Sequence, residues 1–421
     1  MKTTDSLGRK WKIKKMKRET RFPVVLDRAH HPISRKNIDK DALKVLYRLH
    51  RHGFKAYLVG GAVRDYLLGK TPKDFDIATD ARPGQIKKLF VNAFLVGRRF
   101  RLAHIRFKGG KIIEVATFRR EPDPADDERK DSNNTFGTPP EDAFRRDISI
   151  NGLFYDIATF SIIDYVGGLD DIARHRARII GDPAERYSED PVRIWRVLRH
   201  AARSGLTLEE DTGSTIFSHR QLVATCSGAR LFEELNKDMH SGFTGPLMKL
   251  MHYYGMLPFI LGDIGSFFEK DSDSFTRLIS LLIALDASVS ASGVLSQYEI
   301  YSLLFWPWVK RIISDFNRRG ADKIKILNDA FIETHMPVVI PKALRSNIIQ
   351  TLIIVDYMLR AMDTGRMRWS LKKKARYPDA SRVFSMIING RILEGKDPFE
   401  KSFRRKYRGQ TSRSGRRRKT K

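Results

Sequence analysis

Cysteine is nearly absent. Cys226 stands alone among 421 residues, which excludes an internal disulfide framework and suits a reducing compartment. A lone thiol of this kind reads as a small core residue rather than a nucleophile. Long apolar runs are missing too: no stretch approaches the roughly 18 residues a spanning helix needs, so no membrane span is expected. The basic start lacks the apolar core and small-residue cleavage site of a secretory signal, and a cytoplasmic location is expected. Acid is in short supply, with 49 Asp and Glu against 78 Lys and Arg, a formal charge of +29. Such a surplus predicts a polyanionic partner, with nucleic acid ahead of an acidic membrane surface.

What is present falls into blocks. Residues 1–30 are Lys- and Arg-rich with few apolar anchors, and Arg404 to Lys421 holds no acidic residue. Blocks of like charge repel themselves, so both ends read as disordered arms for RNA, for protein partners or for both. From about residue 39 the pattern becomes globular. Asp41 is placed to cap a helix with a stripe of Leu43, Leu46 and Leu49, ended by Gly53. Strand-like runs follow at 55–59, 73–79, 103–108 and 112–118, with a helical segment at 83–90. Residues 121–141 read as a long Pro- and Asp-rich loop, and 154–166 as a strand pair. Beyond about 183 helical periodicity takes over. The reading is an α+β chain: arm 1–30, head 31–166, helical neck 167–225, helical body and tail 226–400, basic tail 401–421.

Three clusters carry chemistry. In the first, Asp74 and Asp76 follow the Gly60-Gly61 turn. Residues two apart on a strand share a face, so both carboxylates can address divalent cations, while the turn lets backbone N–H groups approach a phosphate. Glu114 lies in the run Ile112-Ile-Glu-Val115, where an acid is expected to be paired or to bind metal. In the second, Arg145-Arg-Asp-Ile-Ser-Ile-Asn151 places Asp147 and Asn151 at i and i+4, on one face if helical. Arg146 has Asp147 or a phosphate as its candidate partner. In the third, Ser188-Glu-Asp-Pro-Val-Arg193 opens a helix, with Arg193, Arg196 and Arg199 spaced by three. A capped, salt-bridged helix and a reader of a nucleobase edge fit that spacing equally.

Together, in order, these strings resemble the class II nucleotidyltransferases, the family of bacterial poly(A) polymerases and CCA-adding enzymes. Leu58-Val-Gly-Gly-Ala-Val-Arg-Asp65, Asp74-Phe-Asp76, Glu114 with Thr117-Phe-Arg119, Arg145-Arg-Asp147 to Asn151, Asp164-Tyr-Val-Gly-Gly-Leu-Asp170 and Glu189-Asp-Pro-Val-Arg193 carry the likeness over roughly residues 33–210. The resemblance implies a polymerase-β-like head, then helical neck, body and tail. It implies that Asp74, Asp76 and Glu114 bind catalytic Mg2+ in a two-metal site. Gly60, Gly61 and Arg64 would hold the triphosphate of ATP, and Arg146, Asp147 and Asn151 the ribose and phosphates. Glu189, Asp190 and Arg193 would read the base, with Asp190 and Arg193 pairing with it directly, and Arg196 would belong to the same nucleotide-binding set. The chain departs from the family pattern at Ile148-Ser149, Gly152 and Trp195.

Gly97-Arg-Arg-Phe-Arg-Leu-Ala-His104 looks like the poly(A) polymerase branch, as do His31-Pro-Ile-Ser-Arg-Lys-Asn-Ile38 and the basic end. Arg98, Arg99 and Arg101 would contact the RNA backbone near the site. The expectation is template-independent addition of AMP to RNA 3′ ends, with mRNA processing as the setting. The rivals are a tRNA CCA-adding enzyme and a non-catalytic RNA-binding protein. Charge alone generates one test: RNA affinity should fall steeply as salt rises from about 50 to 200 mM. A salt-insensitive dissociation constant would remove the phosphate-tracking reading.

Overall fold

The computed structural model describes residues 3–4, 10–11, 23–97, 102–121, 136–290, 295–315, 322–364, 367 and 369–390. The basic tail 401–421, and the arginines at 98, 99 and 101, lie outside the described residues. The chain divides into two units, residues 1–219 and 220–421.

In the first unit a short antiparallel pair, β1 (Thr3–Thr4) with β2 (Lys10–Trp11), precedes β3 (Val24–Leu26). β3 pairs with β10 (Ser161–Asp164) at one edge of the main sheet. The stretch read as a disordered arm therefore contributes an edge strand, because the β-branched Val24 and Val25, with apolar Leu26, suit a strand. Next comes α1 (Lys40–Arg51). Its cap is Asp39, which accepts from the N–H groups of Asp41 and Ala42, and not Asp41 as the spacing suggested. With that start, Ala42, Val45, Leu46 and Leu49 make the buried stripe, and Leu43 sits at its margin.

The rest of the sheet is built from β4 (Ala56–Val59), β5 (Asp76–Thr79), β6 (Ala93–Val96), β7 (Leu102–Arg106), β8 (Ile112–Thr117) and β9 (Leu153–Asp156). The order is β3-β10-β9-β4-β5-β8-β7-β6. Among the described strands of this sheet only β5 and β8 run parallel; the other pairs are antiparallel. The strand β6 had no clear alternation and was not expected from sequence. α2 (Gly61–Leu67) and α3 (Pro83–Leu89) follow β4 and β5. α4 (Pro139–Phe144) precedes β9, opened by a capping box of Thr138 and Glu141.

Where β10 ends, Asp164 turns the chain. It is 0% exposed. Its Oδ1 accepts from the N–H groups of Val166, Gly167 and Gly168 at 2.9, 2.8 and 3.1 Å, and its Oδ2 from Leu169 at 2.9 Å. That turn starts α5 (Gly168–Ala173). A Cβ at Gly168 would lie 2.2 Å from the carbonyl oxygen of Ser149, so only glycine permits this approach. Gly152 is held the same way, with a Cβ there 2.6 Å from Val166 Cγ2. The unit closes with α6 (Pro183–Glu189), α7 (Val192–Ser204) and α8 (Glu210–His219). A two-residue parallel pair, β11 (Arg176–Ala177) with β12 (Thr207–Leu208), interrupts the otherwise helical neck. Trp195 is fully buried on α7, so this departure from the family pattern serves the core.

The second unit is helical: α9 (Gly228–Met239), α10 (Thr244–Tyr253), α11 (Pro258–Leu261), α12 (Asp263–Lys270), α13 (Ser272–Ser290), α14 (Gln297–Asp315), α15 (Lys323–Glu333), α16 (Lys342–Thr364) and α17 (Tyr377–Asn389). Arg382 ties α17 to the buried Glu299, with Nε to Oε1 at 2.5 Å. Among the described residues no helix is long and apolar enough to cross a membrane. The α+β order expected from sequence, a mixed sheet followed by helices, is the order found.

Replacing Asp164 by Ala strips four buried N–H groups of their acceptor. The expected loss of stability is at least ~3 kcal/mol, measured by urea denaturation. Retention of wild-type stability would refute the role given to this carboxylate.

Candidate active site

Gly60, between β4 and α2, has φ +68° and ψ −131°, a conformation that favours glycine. A Cβ there would stand 3.6 Å from Arg146 Nη1 and 3.8 Å from Asp76 Oδ2. The glycine thus brings bare backbone beside one cation and one acid. Gly61 begins α2, close to Arg64, whose Nη2 is 3.5 Å from where a Cβ would lie.

Strand β5 begins only at Asp76, which pairs with Val59 of β4. Asp74 lies in the irregular segment before it and is exposed, while Asp76 is half-buried. Glu114 belongs to β8, the parallel neighbour of β5. Burial first, then the Glu114 and Asp74 carboxylates, push the Asp76 carboxyl up to about 6, against the pull of Arg146. The three acids therefore share one electrostatic site. Glu114 is not an acid trapped in apolar surroundings, as its flanking residues suggested. β8 alternates, Ile113 and Val115 are buried, and the Glu114 side chain is 47% exposed on the other face, 3.4 Å from His104 Nε2. Among the described residues no three His, Cys, Asp or Glu side chains converge closely enough to enclose a metal ion. The donors present are hard carboxylate oxygens, and the repulsion at Asp76 is what a divalent cation relieves, so the set fits Mg2+ in kind.

The second cluster is not helical. Arg145 ends α4, Asp147 lies in a bend, and Asn151 closes a short 3-10 turn, Ser149–Asn151. Arg146 pairs back with Asp142, Nη2 to Oδ2 at 2.9 Å, and not with Asp147. The i, i+4 spacing on α4 carried that pairing in the sequence. Arg146 also lies 5.3 Å over the Phe154 ring. Asp147 instead takes α7: Arg196 Nη1 donates to its Oδ2 at 2.9 Å, and Arg193 Nε lies 3.5 Å from its Oδ1. The bend and the helix are thereby clasped by one carboxylate.

Arg64 departs from an open phosphate clamp. It is 1% exposed, and its Nε and Nη2 donate to Asp65 Oδ1 at 2.9 and 2.7 Å. Its Nη1 donates to Asn151 Oδ1 at 2.7 Å and lies 3.4 Å from His200 Nδ1. Burial, then the surrounding arginines, hold His200 well below the ordinary imidazole value, so the ring is neutral there. Arg64 thus organises Asn151 from the interior.

In the third cluster Glu189 Oε2 accepts from Arg193 Nη1 at 2.6 Å and from Arg186 Nη1 at 3.2 Å. Asp190 Oδ1 accepts from the Val192 N–H at 3.2 Å where α7 begins, although the N-cap position itself is Pro191. The salt-bridged helix start is directly visible, and its Arg193 and Arg196 meet Asp147 of the bend. Sequence reasoning missed Asp142, Arg186, His200 and Asp171. The last is fully buried and accepts from Arg176 Nε at 2.5 Å, Arg178 Nε at 2.9 Å and Ser149 Oγ at 2.5 Å. Apart from the Asp142 spacing, no local signal announced them.

The family model described as "Poly A polymerase head domain" matches residues 56–178. One described as "Probable RNA and SrmB- binding site of polymerase A" matches residues 205–266. Poly(A) polymerase I of Escherichia coli O6:H1 is 38% identical over 381 residues, covering 86% of this chain and 81% of that protein. The Haemophilus influenzae poly(A) polymerase I is 39% identical over 294 residues, 67% of this chain and 65% of that one. A Bacillus pumilus CCA-adding enzyme is 38% identical over 210 residues, half of this chain (50%) and 52% of its own length. The solved structure of a Bacillus stearothermophilus CCA-adding enzyme in complex with CTP matches with a TM-score of 0.61 at 24% identity, covering 88% of this chain and 81% of that one; this likeness establishes the fold.

Removing the clasp generates a test. Asp147→Ala releases Arg193 and Arg196 from the bend, and affinity for ATP is expected to fall about ten- to hundredfold. Isothermal calorimetry reads it, and an unchanged dissociation constant would mean that the clasp has no part in nucleotide binding.

Proposed function

The chain belongs to the bacterial class II nucleotidyltransferase family of poly(A) polymerases and CCA-adding enzymes, and from that membership we propose that it adds AMP from ATP to RNA 3′ ends without a template. The carrying observation is the extent of similarity. The poly(A) polymerase I relative is matched over 86% of this chain, whereas the CCA-adding relative is matched over half. The shared fold does not discriminate the two, since the head serves both.

In this reading Asp74, Asp76 and Glu114 hold magnesium in a two-metal site, which when bound lowers the pKa of the attacking hydroxyl and neutralises the leaving phosphate. The Gly60-Gly61 backbone admits the triphosphate closely, with Arg146 beside Gly60 as the available cation. Asp142 holds that guanidinium in place. Asn151, braced by Arg64, and Asp147 address the ribose. Glu189, Asp190, Arg193 and Arg196 address the base. The primer's 3′-hydroxyl attacks the α-phosphate in line and pyrophosphate leaves. Lysines and arginines elsewhere hold RNA through its phosphates. A cytoplasmic location accords with the lone cysteine, and the basic ends are candidates for protein partners.

A nucleotide panel with magnesium tests this, using an unstructured RNA primer and a tRNA lacking its terminal CCA. ATP alone should give long ladders on both. Three additions confined to the tRNA and requiring CTP would make the chain a CCA-adding enzyme, and RNA binding without addition would make it non-catalytic. Asp74→Ala should lower transfer by on the order of a thousandfold while RNA retention in a gel-shift assay persists; normal extension by that variant would overturn the metal assignment.

A further inference from the structure

Arg186 belongs to none of the three motifs, yet it touches two of them. It sits on α6 and is 6% exposed. Its Nη2 donates to the carbonyl oxygens of Arg145 and Arg146 at 3.1 and 3.5 Å. Its Nη1 donates to Glu121 Oε1 at 2.6 Å and to Glu189 Oε2 at 3.2 Å. Glu189 in turn holds Arg193, whose Nη1 also donates to the Arg186 carbonyl at 3.1 Å. A Cβ on Gly181, which has φ +88°, would lie 3.4 Å from Arg186 Cδ, so the stem is confined as well.

One guanidinium therefore spans from the backbone of the Arg145–Asp147 bend to the acid that orients Arg193. Its two terminal nitrogens make four hydrogen bonds, with Nε buried and unbonded. A lysine offers three donors from a single point and cannot reach carbonyls and carboxylates on opposite sides of a planar fork. Because the carbonyls belong to the backbone, the restraint acts on where the bend lies and does not depend on its side chains.

We propose that Arg186 is a positioning residue for nucleotide selection: it fixes the distance between the ribose-contacting bend and the base-facing Glu189–Arg193 pair, so that adenine and ribose are addressed together. The inference rests on the reading of Arg193 as a base contact. Arg186 itself touches no nucleotide in this scheme. It acts by keeping Arg193 from relaxing toward solvent and the Asp147 bend from drifting off it.

The test is primer extension by the full-length protein, with kcat and KM for ATP and CTP compared in wild type, Arg186→Lys, Glu189→Gln, the double variant and Arg193→Ala. Arg186→Lys should cut the preference for ATP over CTP about five- to tenfold, mainly through KM for ATP. Glu189→Gln should give a similar loss, and the double variant little more than either alone. Thermal unfolding run alongside separates this from destabilisation, which lowers activity toward both nucleotides without moving their ratio. A ratio unchanged in Arg186→Lys, or losses that multiply in the double variant, would overturn the proposal. Arg193→Ala reports on the underlying reading: an unaltered ratio there removes the base contact, whereas an altered ratio beside an unaltered Arg186→Lys removes only the role of Arg186.

Discussion

Repulsion among carboxylates is the constraint on which the head depends. Burial first, and then the carboxylates of Glu114 and Asp74, push half-buried Asp76 up to about 6. Acids gathered in a partly desolvated place resist ionisation unless positive charge is supplied. Arg146 supplies part of it from beside Gly60. A divalent cation of the kind carboxylates bind fits the remainder. The glycine at 60 belongs to the same constraint, because a side chain at that position would fill the space between the arginine and the acid.

Around this centre the unit is held by arginines that bridge segments distant in sequence. Asp65 and Asn151 meet at Arg64, Asp147 meets Arg193 and Arg196, and the bend carbonyls meet Glu189 at Arg186. Buried ion pairs contribute little net stability once desolvation is counted, and their better-attested use is to define one arrangement among several. A nucleotide site has that need. It must set donors and acceptors from β5, a bend and α7 at fixed separations, and small displacements of such groups are costly to binding and catalysis. The exposed partners, Glu121 and Glu189, are the adjustable ends of this scaffold, while Arg64 and Asp171 are its sealed interior.

Much of the candidate site was legible because its residues lie in short local strings. Gly60-Gly61 before a helix, Asp-x-Asp before a strand and Asp190-Pro191 at a helix start each announce a local conformation. The errors came where local pattern was taken as environment. Glu114 looked trapped among Ile and Val, but a strand has two faces and it occupies the wet one. Asp147 and Asn151 looked helical by spacing, but the chain bends between them and each is claimed by a different arginine. Arg64, which the resemblance implied at the triphosphate, is buried and bonded to Asp65 and Asn151. Leu43 lost its place in the α1 stripe once Asp39, two residues earlier than Asp41, became the cap.

By itself the sequence determined the α+β order, through apolar periodicity and turn glycines, and its motifs in order carried the resemblance to a known family; the carboxylates it offered for the candidate site stand out by residue type at short range. Tertiary structure alone decided which cation meets which anion. Asp147 takes Arg196 of α7, Arg186 spans bend to neck, and Asp171 gathers two arginines and a serine. Electrostatic pairing depends on distance in space and on exclusion of water, and neither is set until sheet and helices have packed.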